Sequence, residues 1–274
     1  MNDLFDLTGR VYVVTGATGT LAGSAADYLA ARGARVAYLG RSRDKLDAAL
    51  AQCRAKTPGA QCLGLAADVL DRPALEAARD RVLGEWGRVD GLLNGAGGNM
   101  PGATIPPEKT FTDLDFEAFE RVVDLNLHGT VLPSLVFAPA MVAGERGGSI
   151  VNYSSVSSPL AVTRVVGYSA AKAAVENFTR WLGVEMARRT GGKVRVNALV
   201  PGFFLGEQNR RLLTNADGSL TERGGLIVQN TPFGRFGEPG ELHGAVHYLL
   251  ADASKFVTAT VLTVDGGFCA FSGV

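Results

Sequence analysis

After a short polar start, the chain runs Arg10-Val11-Tyr12-Val13-Val14-Thr15, apolar without alternation. Such a run suits a strand buried on both faces of a sheet. The pattern then changes to an Ala-rich helical stretch, about 22–32, stopped by Gly33. Strands follow at about 35–39, 61–66 and 89–93, alternating with helices at about 44–56 and 72–86. Residues 95–115 are rich in Gly, Pro and Thr and have no clear period. They read as an ordered loop over a site. The pattern then predicts a long helix over 116–143, a strand over 149–154, a helix over 166–189 and a strand over 193–200. One or two short helices fall within 208–230, then a helix over 239–251 and a last strand over 260–264. Strands and helices alternating at this spacing predict an α/β fold, with a doubly wound parallel sheet and helices on both faces. No composition shift or repeat divides the chain, so residues 1–274 read as one domain.

Composition changes this picture little. The 274 residues are 46% hydrophobic and 20% charged, ordinary for one large globular domain. Lys and Arg match Asp and Glu, 27 against 27, which points away from nucleic acid and anionic membranes as partners. The start, Met1-Asn2-Asp3-Leu4-Phe5-Asp6, has no signal-type apolar core, and no uninterrupted apolar run reaches about 18 residues. The expectation is a cytoplasmic protein without a membrane partner. Cys53, Cys62 and Cys269 are odd in number and lack ligand spacing, so they read as reduced thiols. His243 and His247 stand at i, i+4, but with no third ligand they read as a packed or surface pair. No metal site is expected.

The candidate chemistry starts at Tyr168 and Lys172, four residues apart within a predicted helix. That spacing puts both on one face. A cation one turn away favours a phenolate and lowers the phenol's pKa, making the pair a proton donor and acceptor near neutral pH. Ser155, just upstream, offers a hydroxyl to a substrate oxygen. On its own, such a Tyr–Lys pair is also what a solvated helix face carries.

Three turns at strand ends extend the pattern. Thr15-Gly16-Ala17-Thr18-Gly19 lies where a strand meets a helix, as a pyrophosphate-binding turn does. The second strand ends at Gly40-Arg41. There an acid would bind ribose hydroxyls, whereas a guanidinium suits a 2′-phosphate, so NADP is favoured over NAD. Asn94-Gly95-Ala96-Gly97 follows the fourth strand, and Asp68 the third. Small residues at the first would let a cofactor cross the strand ends, and Asp68 could accept from an adenine amino group.

Taken together, Thr15-Gly16, Asp68-Val69, Asn94-Gly95-Ala96-Gly97, Asn126, Ser155, Tyr168, Lys172 and Pro201-Gly202 resemble the short-chain dehydrogenase/reductase family in order along almost the whole chain. The resemblance implies a Rossmann-like domain that moves a hydride between a substrate carbon and NAD or NADP. It implies Tyr168 as acid/base and Lys172 as the residue that lowers its pKa and binds the nicotinamide ribose. Ser155 would orient the substrate oxygen, and Asn126 would hold a water linking Lys172 to solvent. The cofactor would lie along Gly16, Thr18, Gly19, Thr20, Leu21, Arg41, Asp68, Val69, Asn94, Ala96, Gly97, Tyr168, Lys172, Pro201, Gly202 and Phe204. The chain departs from the family pattern in two places. Thr20 and Ala22 stand where the turn has later glycines, with Gly23 left to serve helix packing, and Gly206 stands where a Thr follows Pro-Gly.

A narrower resemblance is carried by Pro201–Arg210, Asn215–Arg223, Thr231–Gly237, Val264–Phe268, the terminal Ser272-Gly273-Val274, Asp124–Thr130 and Gly97-Gly98-Asn99. These look like the D-mannonate oxidoreductase (fructuronate reductase) branch, which implies D-fructuronate and D-mannonate as the reacting pair. A hexuronate needs a cation for its carboxylate, and Arg164 and Arg210 are the candidates. Ser155, Asn99, Gln208 and Asn209 complete the expected substrate contacts, under a closing segment about 203–232. A dehydrogenase of a neutral sugar, polyol or gluconate stays open, as does a non-catalytic dinucleotide-binding regulator. The family implies a homotetramer, for which the apolar stretch 261–274 would suit an interface.

Overall fold

The computed structural model describes residues 3–273, apart from the side chains of Glu207 and Gln208. The apolar runs form strands β1 (Val11–Thr15), β2 (Arg35–Gly40), β3 (Cys62–Ala66), β4 (Gly91–Asn94), β5 (Gly148–Tyr153), β6 (Val194–Pro201) and β7 (Val261–Val264). All pair in parallel, in the order β3-β2-β1-β4-β5-β6-β7. The winding direction reverses between β1 and β4. In a doubly wound sheet the crevice for a ligand opens at such a reversal, beyond the strand C-termini.

Helices cover both faces. On one, α1 (Thr20–Ala31), α2 (Arg43–Lys56) and α9 (His243–Leu250) bury Leu29, Leu46 and Leu249 around Tyr38. On the other, α3 (Arg72–Trp86), α5 (Gly129–Ala143) and α6 (Val166–Thr190) pack Leu75, Phe137, Leu182 and Met186 against Val13 and Ile150. Ser42 and Asp71 cap α2 and α3 by accepting from the amides of Lys45 and Ala74. The remaining helices are α4 (Phe116–Val123), α7 (Glu207–Leu213) and α8 (Glu222–Gln229).

The long helix expected over 116–143 forms, with one interruption. Between α4 and α5 the turn Asp124–His128 widens to π-helix, and Asn126 sits at its centre. A π turn shifts the following helix face and is frequent at functional sites. This 28-residue helix is long and apolar enough, by length and composition, to cross a membrane, with a window of mean hydropathy 1.4. Uninterrupted apolar runs had therefore understated it. Half of that window is buried in the domain, where Val136, Phe137 and Met141 join the core. His243 and His247 are held by protein partners: Ser24 Oγ lies 2.8 Å from one ring, and the Tyr28 hydroxyl 2.8 Å from the other. Among the described residues, no three His, Cys, Asp or Glu side chains cluster as a metal site would need. Cys53 and Cys62 are free thiols with sulfurs 3.4 Å apart.

Candidate active site

Helix α6 begins at Val166, so Tyr168 lies in its first turn and Lys172 one turn further. Gly167 lets that end of the helix approach α4, because a Cβ there would meet the Phe119 ring at 3.0 Å. Tyr168 is half-buried, packed with Met100 against Ala103, Ala118 and Val122. Ser155 follows β5, and its hydroxyl faces the Tyr168 phenol closely enough to favour the phenolate. Burial acts the other way and more strongly, so the phenol's pKa lies above its ordinary value.

Lys172 is 3% exposed, and its Nζ donates to the Tyr153 carbonyl at 2.7 Å. Burial pushes its pKa down to about 8. The same ammonium stands 5.5 Å from the Tyr168 ring centroid. The expectation that Lys172 would pull the Tyr168 pKa down is thus corrected in this structure. Desolvation dominates both groups, and the ammonium is directed to a backbone carbonyl. Asn126 is fully buried, and its Nδ2 donates to the carbonyls of Gly98 and Val122 at 2.7 and 2.8 Å. Its Oδ1 accepts from the Gly98 amide at 3.1 Å. A Cβ at Gly97 would lie 2.6 Å from Asn126 Oδ1 and 3.2 Å from Lys172 Nζ. Glycine is what lets this loop lie against both.

The strand ends form an interlocked cradle. Thr15 Oγ1 accepts from the amides of Gly95 and Ala96, both at 3.1 Å, joining β1 to the turn after β4. Gly16 has φ +67°, and a Cβ there would lie 2.8 Å from Ala96 and Gly95. Helix α1 starts after Gly19 with no side chain capping it, leaving amide N–H groups and positive potential for an anion. A Cβ at Gly23 would come within 2.8 Å of the Ala17 carbonyl, so this glycine seats α1 on the turn. Thr18 lies against Gly40, and Gly206 against Thr20. A Cβ at Gly202 would lie 2.6 Å from Asp265 Cα, so the Pro201-Gly202 turn fits closely against the end of β7. Arg41 and Asp68 come together at 3.9 Å on adjoining strand ends, Arg41 exposed and Asp68 half-buried. The chemistry of this cradle fits a dinucleotide: a glycine turn and a free helix start for a pyrophosphate, small residues between the strands, and a cation beyond β2.

Residues 10–216 match the family model for the short chain dehydrogenases. The chain belongs to the short-chain dehydrogenase family. An uncharacterised oxidoreductase of Bacillus subtilis, UxuB, is 42% identical to it, over 98% of each chain. A crystal structure of a candidate D-mannonate oxidoreductase from Haemophilus influenzae, with bound NAD, superposes with a TM-score of 0.91 at 38% identity and 98% coverage of both chains. A gluconate 5-dehydrogenase from Burkholderia cenocepacia, in complex with NADP and tartrate, gives 0.84 at 31% identity, also over 98% of each chain. The protein is therefore an oxidoreductase with a Rossmann-like fold, acting on a CH–OH group and using a nicotinamide dinucleotide.

Within this short-chain dehydrogenase, several residues marked in the sequence have side chains occupied elsewhere. Asn94 is 1% exposed, and its Nδ2 donates to Asn152 Oδ1 at 2.8 Å and Ser134 Oγ at 3.0 Å. Its side chain ties the sheet to α5. The Phe204 ring packs into the core on Gly237, Leu21 packs against the same core, and the Val69 side chain packs on Gly129. Asn209 Oδ1 accepts from the Gly206 amide, and its Nδ2 donates to the Phe204 carbonyl, both at 2.8 Å. It closes the start of α7, using one donor and one acceptor of its amide. Asn99 Nδ2 donates to Thr104 Oγ1 at 2.8 Å. Arg210 is exposed on α7, and the Gln208 side chain lies outside the described residues. Arg164 is exposed with φ +75°. Arg223 of α8, not singled out in the sequence, reaches back to Thr163 beside it. No spacing could have signalled this, since the two residues stand sixty positions apart.

Proposed function

We propose that this enzyme interconverts a keto sugar acid and its hydroxy acid, with D-fructuronate and D-mannonate as the reacting pair. The observation that carries the acid is Arg164, held one helical turn before Tyr168 in a left-handed conformation that a long side chain rarely adopts. The resemblance in fold and sequence to the candidate D-mannonate oxidoreductase supports the choice of substrate. A second reading, gluconate against its 5-keto form, is favoured by the likeness to the gluconate 5-dehydrogenase.

Ser155 holds the substrate oxygen. Tyr168 gives that oxygen a proton on reduction and takes one from it on oxidation. Burial keeps the phenol protonated through neutral pH, which suits reduction. Lys172 supplies positive charge beneath the ring, and Asn126 fixes the Gly97-Gly98 backbone against it. When bound, the nicotinamide cofactor supplies or accepts the hydride. Gly16, Gly19, Thr18 and Thr20 would hold its phosphates, and Arg41, at a strand end without an acid, favours NADP over NAD. Residues 203–232 close over the substrate.

The protein assembles as a homotetramer in this reading. Leu135, Val142 and Trp181, at 60%, 45% and 63% exposed, line one groove between α5 and α6. An apolar face of this kind is what an interface covers, and it is better exposed than the 261–274 stretch, where Phe271 is 39% exposed. Sedimentation of Trp181→Glu should show smaller species than the wild type. The substrate is tested by initial rates on D-fructuronate, 5-keto-D-gluconate, D-fructose and a polyol series with both cofactors. The proposal expects D-fructuronate to have the highest kcat/KM. Highest values on a neutral substrate overturn it.

A further inference from the structure

Arg164 and Arg223 make an unusual meeting. Arg164 is one of two described non-glycine residues with positive φ, at +75°. Strain of this kind persists where the surroundings hold it and clusters at ligand sites. Its carbonyl accepts from the Ile105 amide at 3.0 Å, which ties the 95–115 loop to the loop before α6. Arg223, in the first turn of α8, points its guanidinium at the same place: Nη1 lies 3.4 Å from Thr163 Oγ1 and Nη2 3.5 Å from the Thr163 carbonyl.

Arg223 lies within reach of the charge of Arg164. Among the described residues, no ion pair within 4.0 Å includes either arginine. Arg223 is partly buried, and burial together with the charge of Arg164 lowers its pKa. Bringing two like charges together in a partly dry place is unfavourable. An anion between them removes the repulsion, and a carboxylate can take paired N–H donors from a guanidinium.

We infer that Arg164 and Arg223 together bind the substrate carboxylate, with α8 bringing Arg223 to the site as residues 203–232 close. This rests on the sugar-acid reading above and adds to it the residue that selects acids over neutral sugars. It places the carboxylate by the loop that precedes Tyr168 rather than at the phenol itself, so the acid group lies at the far end of the carbon chain from the reacting carbon. D-Fructuronate and 5-keto-D-gluconate both have that layout.

The test uses full-length wild type, Arg223→Gln, Arg223→Lys and Arg164→Gln. Each is assayed on D-fructuronate and on D-fructose, which carries a CH2OH in place of the carboxylate. The expected result for Arg223→Gln is a KM for D-fructuronate raised about 10- to 100-fold, the loss of one or two charge-assisted hydrogen bonds. Rates on D-fructose and the KM for the cofactor stay unchanged, and Arg223→Lys keeps part of the affinity. Thermal shifts give a readout free of turnover. D-Mannonate should raise the wild-type Tm in the presence of the oxidised cofactor, D-mannitol should not, and Arg223→Gln should lose the shift. An unchanged KM for the acid in Arg223→Gln, or an equal loss on both substrates, overturns the pair. A wild type that prefers 5-keto-D-gluconate removes D-fructuronate as the substrate, and the same comparison on that acid then decides the pair. A wild type active on no keto acid overturns both readings.

Discussion

Lys172 gives its ammonium to the Tyr153 carbonyl at 2.7 Å, one helical turn from the Tyr168 phenol. This contact fixes the cation beneath the ring while burial weakens its charge. The phenol and the ammonium are both displaced toward their neutral forms. The site therefore favours a proton donor near neutral pH, and its charge is lost within the alkaline range in which enzymes are assayed.

The pH dependence follows with a definite sign. If reduction needs protonated Lys172 and neutral Tyr168, kcat/KM for the keto acid is flat below about pH 8 and falls above it. Oxidation needs the phenolate and rises over the same range. Rates measured in both directions from neutral to alkaline pH check this. A reductive profile that stays level to the alkaline end contradicts it.

Stability gives an independent reading of the same group. The folded pKa of Lys172 lies below its unfolded value, so folding costs most where both states are protonated, below about 8. The cost fades as pH rises toward the unfolded pKa. Relative to the wild type, Lys172→Met should be more stable at neutral than at alkaline pH, by about 2 kcal/mol between about pH 7 and about pH 9.5. Urea unfolding at the two pH values measures the difference.

Gly97→Ala drives a methyl into Asn126 Oδ1 and toward Lys172 Nζ, at 2.6 and 3.2 Å. The neighbours are buried and hydrogen-bonded, so they cannot give way freely. Turnover should fall by about 100-fold or more while far-UV circular dichroism stays native, since misplacing a reacting group by about 1 Å has that effect.

Arg41 decides the cofactor in this account. Arg41→Ala should lower kcat/KM for NADPH by about tenfold or more and leave NADH nearly unchanged, because only the 2′-phosphate needs the guanidinium. Equal losses with both cofactors would make Arg41 a general surface contact. Its ion pair with Asp68 is exposed and contributes little to stability, about 0–1 kcal/mol.

Asn94 separates a cofactor contact from a structural one. Its amide nitrogen donates to Asn152 and Ser134. Asn94→Ala should destabilise by about 1–3 kcal/mol, the cost of stranding a buried polar partner, with little change in the KM of either cofactor. A large rise in that KM with unchanged stability would reverse the assignment.

Much of this was legible in the sequence, for physical reasons. Runs such as Val11–Thr15 and Val194–Val200 are buried on both faces, so their composition alone marks them as strands. Gly16 and Gly97 stood out because close backbone approach leaves a compositional trace. The 116–143 helix was readable, but its π turn at Asn126 was not, since one extra residue per turn barely disturbs an apolar periodicity. Asn94 and Asn209 looked chemical because amides are common in sites, yet both satisfy buried or terminal backbone and polar groups, and only coordinates distinguish the two uses. The pKa order of Tyr168 and Lys172 depends on burial, which i, i+4 spacing does not report. Arg223 was hidden for the simplest reason: its neighbour Arg164 is remote in the chain.

The central claim is that Tyr168, beside Ser155 and above Lys172, moves the proton in keto-acid reduction. The most direct measurement is D-fructuronate-dependent oxidation of NADPH and NADH by wild type and Tyr168→Phe, with cofactor affinity measured in parallel by fluorescence. The account predicts wild-type turnover, a fall of about 10²- to 10⁴-fold in kcat for Tyr168→Phe, and unchanged cofactor Kd. Turnover by Tyr168→Phe at the wild-type rate would contradict it.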